Sequence, residues 1–407
     1  MSPSTWAPRL MLVTETYAPE IGGGERQARA LAEGFAALGR EVTILTRRSR
    51  HGLPRREYDG PALVLRLPPS GTGRWRKWLL LLPTWFALCR RRRQYDAVLV
   101  SGFRILGIAA LMARALTRKP TVLKADSAGE LSGEYFRAGL AKAGMTPEWR
   151  PVSLALRLRN AALSRADAYV ALSDEMTREF VDHGVAPERV RRIPNCVDTA
   201  VFRPAAASER LRLRRELGLP DVPIAVYTGR LVTYKGLPSL LRAWREVPGA
   251  LLVLVGEGGA DVHACERALR ESASAPGMHG RVRFVGAAQR VEEWLRAADV
   301  FVFPTENEAF GLSLAEAMAC GLPCVTTRVG GLRDFVIDGV NAVAVPPGDD
   351  AALAAAIANL LADAGRRSAL GQAARRTAEE RFSLALVAGA YAALVDELCE
   401  TVVGRTA

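Results

Sequence analysis

Histidine is scarce in this chain of 407 residues, which has only His51, His183, His263 and His279. The six cysteines, Cys89, Cys196, Cys265, Cys320, Cys324 and Cys399, are scattered and have no histidine at metal-ligand spacing. That argues against a zinc site and a disulfide-dense scaffold. Cys320 and Cys324 flank Gly321-Leu322-Pro323 in an apolar run and read as buried thiols. No Asp-x-Asp pair near a strand end offers itself to a metal, and no period of solenoid length recurs. The 36 glycines and 23 prolines are dispersed, which argues against a low-complexity segment. The N-terminus reaches a predicted strand within ten residues without a charged-then-apolar leader, so a cytoplasmic protein is expected.

What is present is charge, unevenly shared. Of the formal +12, residues 1–195 hold 32 Lys and Arg against 18 Asp and Glu, and the remainder holds 23 against 25. A basic first half attracts phosphate, whether of a nucleotide, a nucleic acid or an anionic membrane. Nearly all these cations are Arg, so compositional bias accounts for the excess equally well. The length exceeds one ordinary core and suits two domains of roughly 200 residues.

Short apolar runs alternate with helical periodicity. Strands are predicted at 9–14, 41–46, 97–100, 121–123 and 168–172, with a helix at 24–38. The rhythm resumes with strands at 224–227, 251–255, 282–285, 300–303 and 323–326. Alternation of this kind predicts two doubly wound parallel sheets, an α/β fold with ligands at the carboxyl ends of the strands. The turn-rich Ile193-Pro194-Asn195-Cys196-Val197-Asp198 reads as the hinge. The domains are therefore expected at 1–195, with 383–407 returning to them as a helix, and at 196–382. One segment departs from the pattern. In 74–93, Trp75, Trp78, Leu82, Trp85, Phe86 and Cys89 recur at spacings of three and four, among Arg74, Arg76, Lys77 and Arg90-Arg91-Arg92-Arg93. An apolar face with basic ends suits an anionic membrane surface, and a helix packed on the first sheet fits as well. The segment is too short to span a bilayer, and Pro83 is expected to interrupt it.

Three stretches carry chemistry. Gly22-Gly23-Gly24, after the first strand, permits close backbone approach to an anion at a helix N-terminus, although the spacing is not a dinucleotide fingerprint and a plain tight turn fits too. Gly229-Arg230-Leu231 followed by Lys235-Gly236 sets a forked donor and a point charge five residues apart, a pair suited to a diphosphate. Glu308-Ala309-Phe310-Gly311-Leu312-Ser313-Leu314-Ala315-Glu316 places two carboxylates eight apart around a Phe-Gly turn. A helix beginning near Gly311 puts Glu316 inside it and Glu308 in the loop ahead.

In that order, together with Asn195, Val285-Gly286, Pro304-Thr305, Gly330-Gly331 and Pro346-Pro347-Gly348-Asp349, the motifs resemble the retaining glycosyltransferases of family four, with their GT-B fold of two Rossmann-like domains facing across a cleft. The resemblance implies Arg230 and Lys235 on the donor diphosphate, Glu316 on the ribose and Glu308 on the transferred sugar. It implies Phe310, Gly311 and Leu312 near the sugar and distal phosphate, with Gly22, Gly23, Gly24, Asn195, Gly229, Val285 and Gly286 completing the donor site. Glu308, Arg230 and Lys235 are the expected catalytic residues, with no metal and no cofactor beyond a UDP- or GDP-sugar as co-substrate. Glu308 is expected to position the sugar rather than to act as a covalent nucleophile.

The chain departs from that family where many relatives carry a histidine. The strand at 121–123 runs instead into Lys124-Ala125-Asp126-Ser127-Ala128-Gly129-Glu130, so Lys124, Asp126, Ser127 and Glu130 are candidates for a sugar or acceptor pocket, with Lys124 a possible substitute donor. The expected activity is hexosyl transfer to a saccharide or lipid-linked acceptor in polysaccharide, glycolipid or envelope glycan synthesis. A nucleotide-sugar epimerase of similar architecture and a basic nucleic-acid-binding protein are the alternatives. The second leaves the three motifs idle and lacks interleaved aromatics, so no nucleic-acid partner is expected.

Overall fold

A computed structural model describes residues 7–20, 22–71, 76–141, 144–146, 148–259, 261 and 263–404. The chain divides into two compact units, Met1–Cys196 with Leu384–Ala407, and Val197–Ser383.

In the first unit the strands are β1 (Leu10–Thr14), β2 (Val42–Arg47), β3 (Arg56–Asp59), β4 (Ala62–Leu67), β5 (Ala97–Ser101), β6 (Thr121–Lys124), β7 (Ala168–Ala171) and β8 (Val190–Arg192). The helices are α1 (Gly23–Ala37), α2 (Arg76–Leu79), α3 (Leu81–Arg90), α4 (Phe103–Thr117), α5 (Arg137–Ala141), α6 (Arg150–Leu163) and α7 (Asp174–Asp182). Among the described residues the sheet order is β3-β4-β2-β1-β5-β6-β7-β8, parallel except for the antiparallel β3. β1, β5, β6 and β7 are buried along their whole length. Covered on both faces, such strands read as the unbroken apolar runs that the sequence displays.

The second unit has β9 (Ile224–Thr228), β10 (Leu251–Val255), β11 (Val282–Gly286), β12 (Val300–Phe303), β13 (Cys324–Thr327) and β14 (Val343–Val345) in the parallel order β11-β10-β9-β12-β13-β14. Its helices are α8 (Ala207–Glu216), α9 (Leu237–Trp244), α10 (Glu266–Ala273), α11 (Val291–Ala297), α12 (Leu312–Ala319), α13 (Asp350–Ala362) and α14 (Ala364–Phe382). In each sheet the winding reverses once, between β1 and β5 in the first and between β9 and β12 in the second. A crevice opens at the carboxyl ends of the strands at such a reversal, where the two connections leave in opposite directions.

Four strands escaped the apolar pattern. β3 is Arg-Glu-Tyr-Asp on an edge, with alternate residues exposed, and its charges mask its pairing with β4. β8 and β14 are three-residue edge strands. β4 is buried for most of its length but carries Arg66 inside it, which breaks its apolar run.

The segment at 74–93 is described in part. Arg74 and Trp75 lie outside the described residues. The rest forms two helices, α2 and α3, and the expected interruption falls between them at Leu80. Pro83 lies just beyond the break. It sits in the first turn of α3, where backbone N–H groups have no intrahelical acceptor to lose. Thr84, Ala87 and Leu88 turn inward, while Trp78, Leu79, Leu82 and Phe86 are exposed. The expected apolar face is therefore largely on the surface. Among the described residues no helix is long and apolar enough to cross a membrane.

The last helix, α15 (Leu384–Gly404), packs along α1 in the first unit. Val387, Ala388, Tyr391, Leu394 and Val395 join the core formed with Leu31 and Phe35. Arg40 grips Asp396 with two parallel hydrogen bonds of 2.6 and 2.7 Å, the bidentate geometry that makes an Arg–carboxylate pair directional. At the tightest point Gly34 lets the helices touch, since a side chain there would press on Ala388 and Leu384. Gly34→Val is expected to lower stability by about 1–3 kcal/mol through overpacking at this seam, as measured by denaturant unfolding. A fully stable variant would show that the close approach is unimportant.

Candidate active site

In the second unit, loops after β9 and β12 meet at the reversal of the sheet. Lys235, in the loop after β9, places Nζ 2.5 Å from Oε2 of Glu308, in the loop after β12. Both side chains are mostly enclosed. Lys235 also lies against the faces of Tyr234 and Phe303, 5.5 and 5.4 Å from the ring centroids, a setting that favours a cation. The two loops are laced together by backbone and hydroxyl bonds. Glu306 N–H donates to Tyr234 O at 2.9 Å and Thr305 Oγ1 donates to the same carbonyl at 3.2 Å.

The Glu308 loop is held from behind by Gly330 and Gly331. Gly331 N–H donates to Glu308 O at 2.9 Å, and a methyl on either glycine would run into the carbonyls of Glu308 or Ala309. Only residues without Cβ allow the two backbones so close. Phe310 turns its ring into a cluster with Phe335 and Phe382, at 5.8 and 5.2 Å between centroids. It therefore anchors the loop and leaves its backbone as the group available at the site.

Gly311 then takes φ +97°, the left-handed region that glycine enters without penalty, and caps α12. Glu316 lies within α12 and is buried, while Glu308 stands ahead of it, as the spacing predicts. No side chain caps α12, so its N-terminus, at Gly311 and Leu312, keeps the free N–H groups and positive dipole end that attract anions.

Arg230 is largely exposed and is steered by Asp261 at 2.6 Å and by the Tyr234 hydroxyl at 2.6 Å. Sequence spacing missed both partners; Asp261 lies 31 residues downstream in an irregular loop. Gly229, Gly256 and Gly286 come together at the same edge. Gly256 N–H donates to Gly286 O at 2.8 Å, and a side chain on Gly256 would strike Gly229 O. These contacts bring Val285 and Gly286 to the carboxyl edge beside the Arg230 loop.

In the first unit, the candidate groups gather at the carboxyl ends of β1, β5 and β6. Gly22 precedes α1 in extended conformation, and the Glu25 carboxylate folds back over it while accepting from Thr16. Gly24 faces Asp126, whose Oδ2 would lie 3.8 Å from a methyl there. Asp126 accepts from Lys124 Nζ at 2.7 Å and Ser101 Oγ at 2.8 Å. Burial pushes this carboxyl up, but Lys124, Ser101 and Arg104 together hold it below the usual range. The Asn195 Oδ1 is buried without a hydrogen-bond partner among the described residues.

Glu130 is corrected. It was expected to line a pocket, yet it is fully buried and its Oε1 accepts from the backbone of Asp126 at 3.1 Å and Ser127 at 3.3 Å. From the other side Glu179, on α7, accepts from Gly129, Leu131 and Ser132 N–H at 2.7, 2.9 and 3.0 Å. Two carboxylates thus fold the loop after β6, so Glu130 shapes the presentation of Asp126 and Ser127 from behind. Arg104, overlooked in the sequence, lies on the first turn of α4 with its guanidinium 4.1 Å from the Tyr135 ring and 4.0 Å from Glu130.

Residues 21–201 match the family model described as Glycosyltransferase Family 4, and residues 222–363 the model described as Glycosyl transferases group 1. The D-inositol 3-phosphate glycosyltransferase of Acidothermus cellulolyticus is 31% identical over 90% of this chain and 85% of its own. The chain belongs to glycosyltransferase family four. A second relative of the same name, from Xylanimonas cellulosilytica, is 38% identical, but the match spans about half of each protein, 54% of both. Among solved structures, sucrose-phosphate synthase from Thermosynechococcus elongatus superposes with a TM-score of 0.80 at 25% identity, over 97% of this chain and all of that one. Anabaena HepE, solved with UDP and glucose, gives 0.76 at 20% identity over 96% and 99%. The fold of this family-four glycosyltransferase is GT-B.

Burial pushes the Glu130 carboxyl up to about 7, against the opposing pull of Arg104 and with a further push from Asp126. An acid whose pKa is raised by folding binds more protons in the native than in the unfolded chain between its two pKa values, so stability falls as pH rises through that window. Glu130→Gln is expected to remove about 1–3 kcal/mol of stability loss between pH 5 and 7. Parallel melting curves of wild type and variant across that range would refute the assignment.

Proposed function

We propose that this glycosyltransferase moves a hexosyl group from a UDP- or GDP-sugar to a saccharide or lipid-linked acceptor, with retention at the anomeric carbon and without a metal. The observation that carries this reading is the Lys235–Glu308 contact beside the uncapped start of α12. Lys235 and Arg230 would neutralise the departing diphosphate, a task that otherwise falls to a divalent cation. Glu308 Oε2 faces Lys235, and its second carboxylate oxygen would accept from a sugar hydroxyl. Buried Glu316, one turn into α12, would take the ribose hydroxyls. The first unit would supply the acceptor side, with Lys124 holding Asp126 in place of the histidine that many relatives carry there. The complexes of HepE with UDP and glucose and with UDP-glucose support a nucleotide-sugar donor. The expected setting is glycan or glycolipid synthesis.

The rate should depend on both partners of the ion pair, because each is useful to the transition state only when the other positions it. Glu308→Ala and Lys235→Ala are each expected to lose about 100-fold or more in kcat while keeping the wild-type circular dichroism spectrum. Near-normal transfer by both folded variants would remove these residues from the mechanism. A melting panel of UDP, GDP and their sugars identifies the donor base, since a ligand that binds only the native state raises its melting temperature.

The exposed Trp78, Leu79, Leu82 and Phe86, followed by Arg90, Arg91, Arg92 and Arg93, favour peripheral attachment to an anionic membrane. Flotation with phosphatidylglycerol vesicles is expected to carry the protein up, and Leu82→Glu with Phe86→Glu to abolish it. Equal flotation on neutral and anionic lipid, or none on either, would sink this reading.

A further inference from the structure

Arg210 and Arg214 stand four residues apart on α8, so both fall on one face of the helix, where like charges disfavour it. Both turn to the same carboxylate. Asp299, just ahead of β12, accepts from Arg214 Nη2 at 2.6 Å, from Arg210 Nη1 at 3.4 Å, and from the Ile224 N–H that opens β9 at 2.8 Å. Arg214 also donates from Nε to Ala297 O at 2.9 Å. A third guanidinium comes from the start of α14, where Arg367 spends Nη1 on the carbonyls of Leu360 and Leu361 at the end of α13.

Beside these groups lies a cavity of about 220 Å³, lined by Arg214, Arg367, Asp221, Asp299, Pro223 and Leu361. That is far more room than a single water needs. A guanidinium has five N–H groups, so the three arginines hold more donors than these bonds use. Burial lowers the Arg210 pKa, Asp299 opposes the shift, and Arg214 and Arg367 push it down further. Arg210 is therefore within Coulomb reach of both other cations, and the mostly enclosed Asp299 serves all three. Asp221 is exposed and is the other acid in the lining. The cavity is not part of the donor loops. It sits at the amino ends of β9 and β12, whereas Lys235 and Glu308 follow the carboxyl ends of the same two strands. The five residues of β9 alone separate the two places by more than about 13 Å.

We propose that this cavity is a second ligand site, remote from the transfer chemistry, in which Arg210, Arg214 and Arg367 hold a phosphate oxyanion. Guanidinium groups brought from two helices present donors in different planes, which suits a tetrahedral oxyanion better than a planar carboxylate. A bound phosphate gives the three cations a second counter-charge and bridges α8 to α14 across the amino edge of the sheet. The site stands apart from the transferase reading, since binding is measured on the protein without any transfer.

The test is titration calorimetry of the full chain with inorganic phosphate at constant ionic strength, repeated with Arg210→Gln, Arg367→Gln, Asp221→Asn and Lys235→Ala. The expected result is saturable binding that weakens about tenfold or more in Arg210→Gln and in Arg367→Gln, and tightens in Asp221→Asn as a competing charge is removed. Lys235→Ala should leave it unchanged, because that residue lies at the opposite edge of the sheet. Binding lost in Lys235→Ala and intact in both arginine variants would place the phosphate on the donor loops and overturn the site. Equal binding in all five proteins, or none in wild type, would overturn it too. If Arg367→Gln fails to fold, the more exposed Arg210 and Asp221 still decide: their variants move affinity in opposite directions, whereas a purely structural ion-pair cluster moves neither. Acetate binding as tightly as phosphate would overturn the tetrahedral preference. Glycerol 3-phosphate separates the two forms of the group: tighter Arg210-dependent binding than inorganic phosphate assigns an ester, and weaker binding assigns the free ion.

Discussion

Lys235 and Glu308 are 73 residues apart and 2.5 Å from contact to contact, and the geometry of the second unit follows from bringing them together. β9 and β12 are neighbours in the sheet, so the loops that leave their carboxyl ends are forced side by side. Two mostly enclosed charges in that position require each other: either one alone would pay the cost of desolvation uncompensated. The surrounding glycines serve this arrangement. Gly330 and Gly331 let one backbone approach the Glu308 loop, and Gly311 turns the chain into α12 without a capping side chain that would occupy its N-terminus.

The first unit solves a different problem with similar means. Its carboxyl edge collects Asp126, Lys124, Ser101 and Arg104, and the loop after β6 is folded over two inward carboxylates, Glu130 and Glu179. A carboxylate accepting several backbone N–H groups is a compact way to organise a loop that has no regular hydrogen bonds of its own. Asp126 and Ser127 are presented by that scaffold.

Strands buried on both faces were legible because their residues can only be apolar, as in Leu10–Thr14 and Leu251–Val255. The loops that carry Arg230, Lys235, Glu308 and Glu316 were legible too, since these residues stand near the ends of such strands in a recognisable order. The edges were not. β3 consists of charged and aromatic residues and is recognisable only through its antiparallel neighbour β4. Asp261 as the partner of Arg230 was hidden for a related reason, since no local pattern marks a carboxylate that folds back from an irregular loop. Glu130 looked like a ligand group because composition shows a carboxylate and not the direction in which it points.

The sequence by itself determined the alternation of strand and helix, the polar loops that follow the strands, and the family to which the chain belongs. These depend on residues near one another along the chain, where hydrophobic period and turn chemistry act directly. Tertiary structure alone decided which charges meet. It paired Lys235 with Glu308, turned Glu130 inward and brought Asp261 back onto Arg230. The physical reason is that burial and pairing depend on neighbours tens of residues away in the chain, and those neighbours are chosen by the order of strands in the sheet.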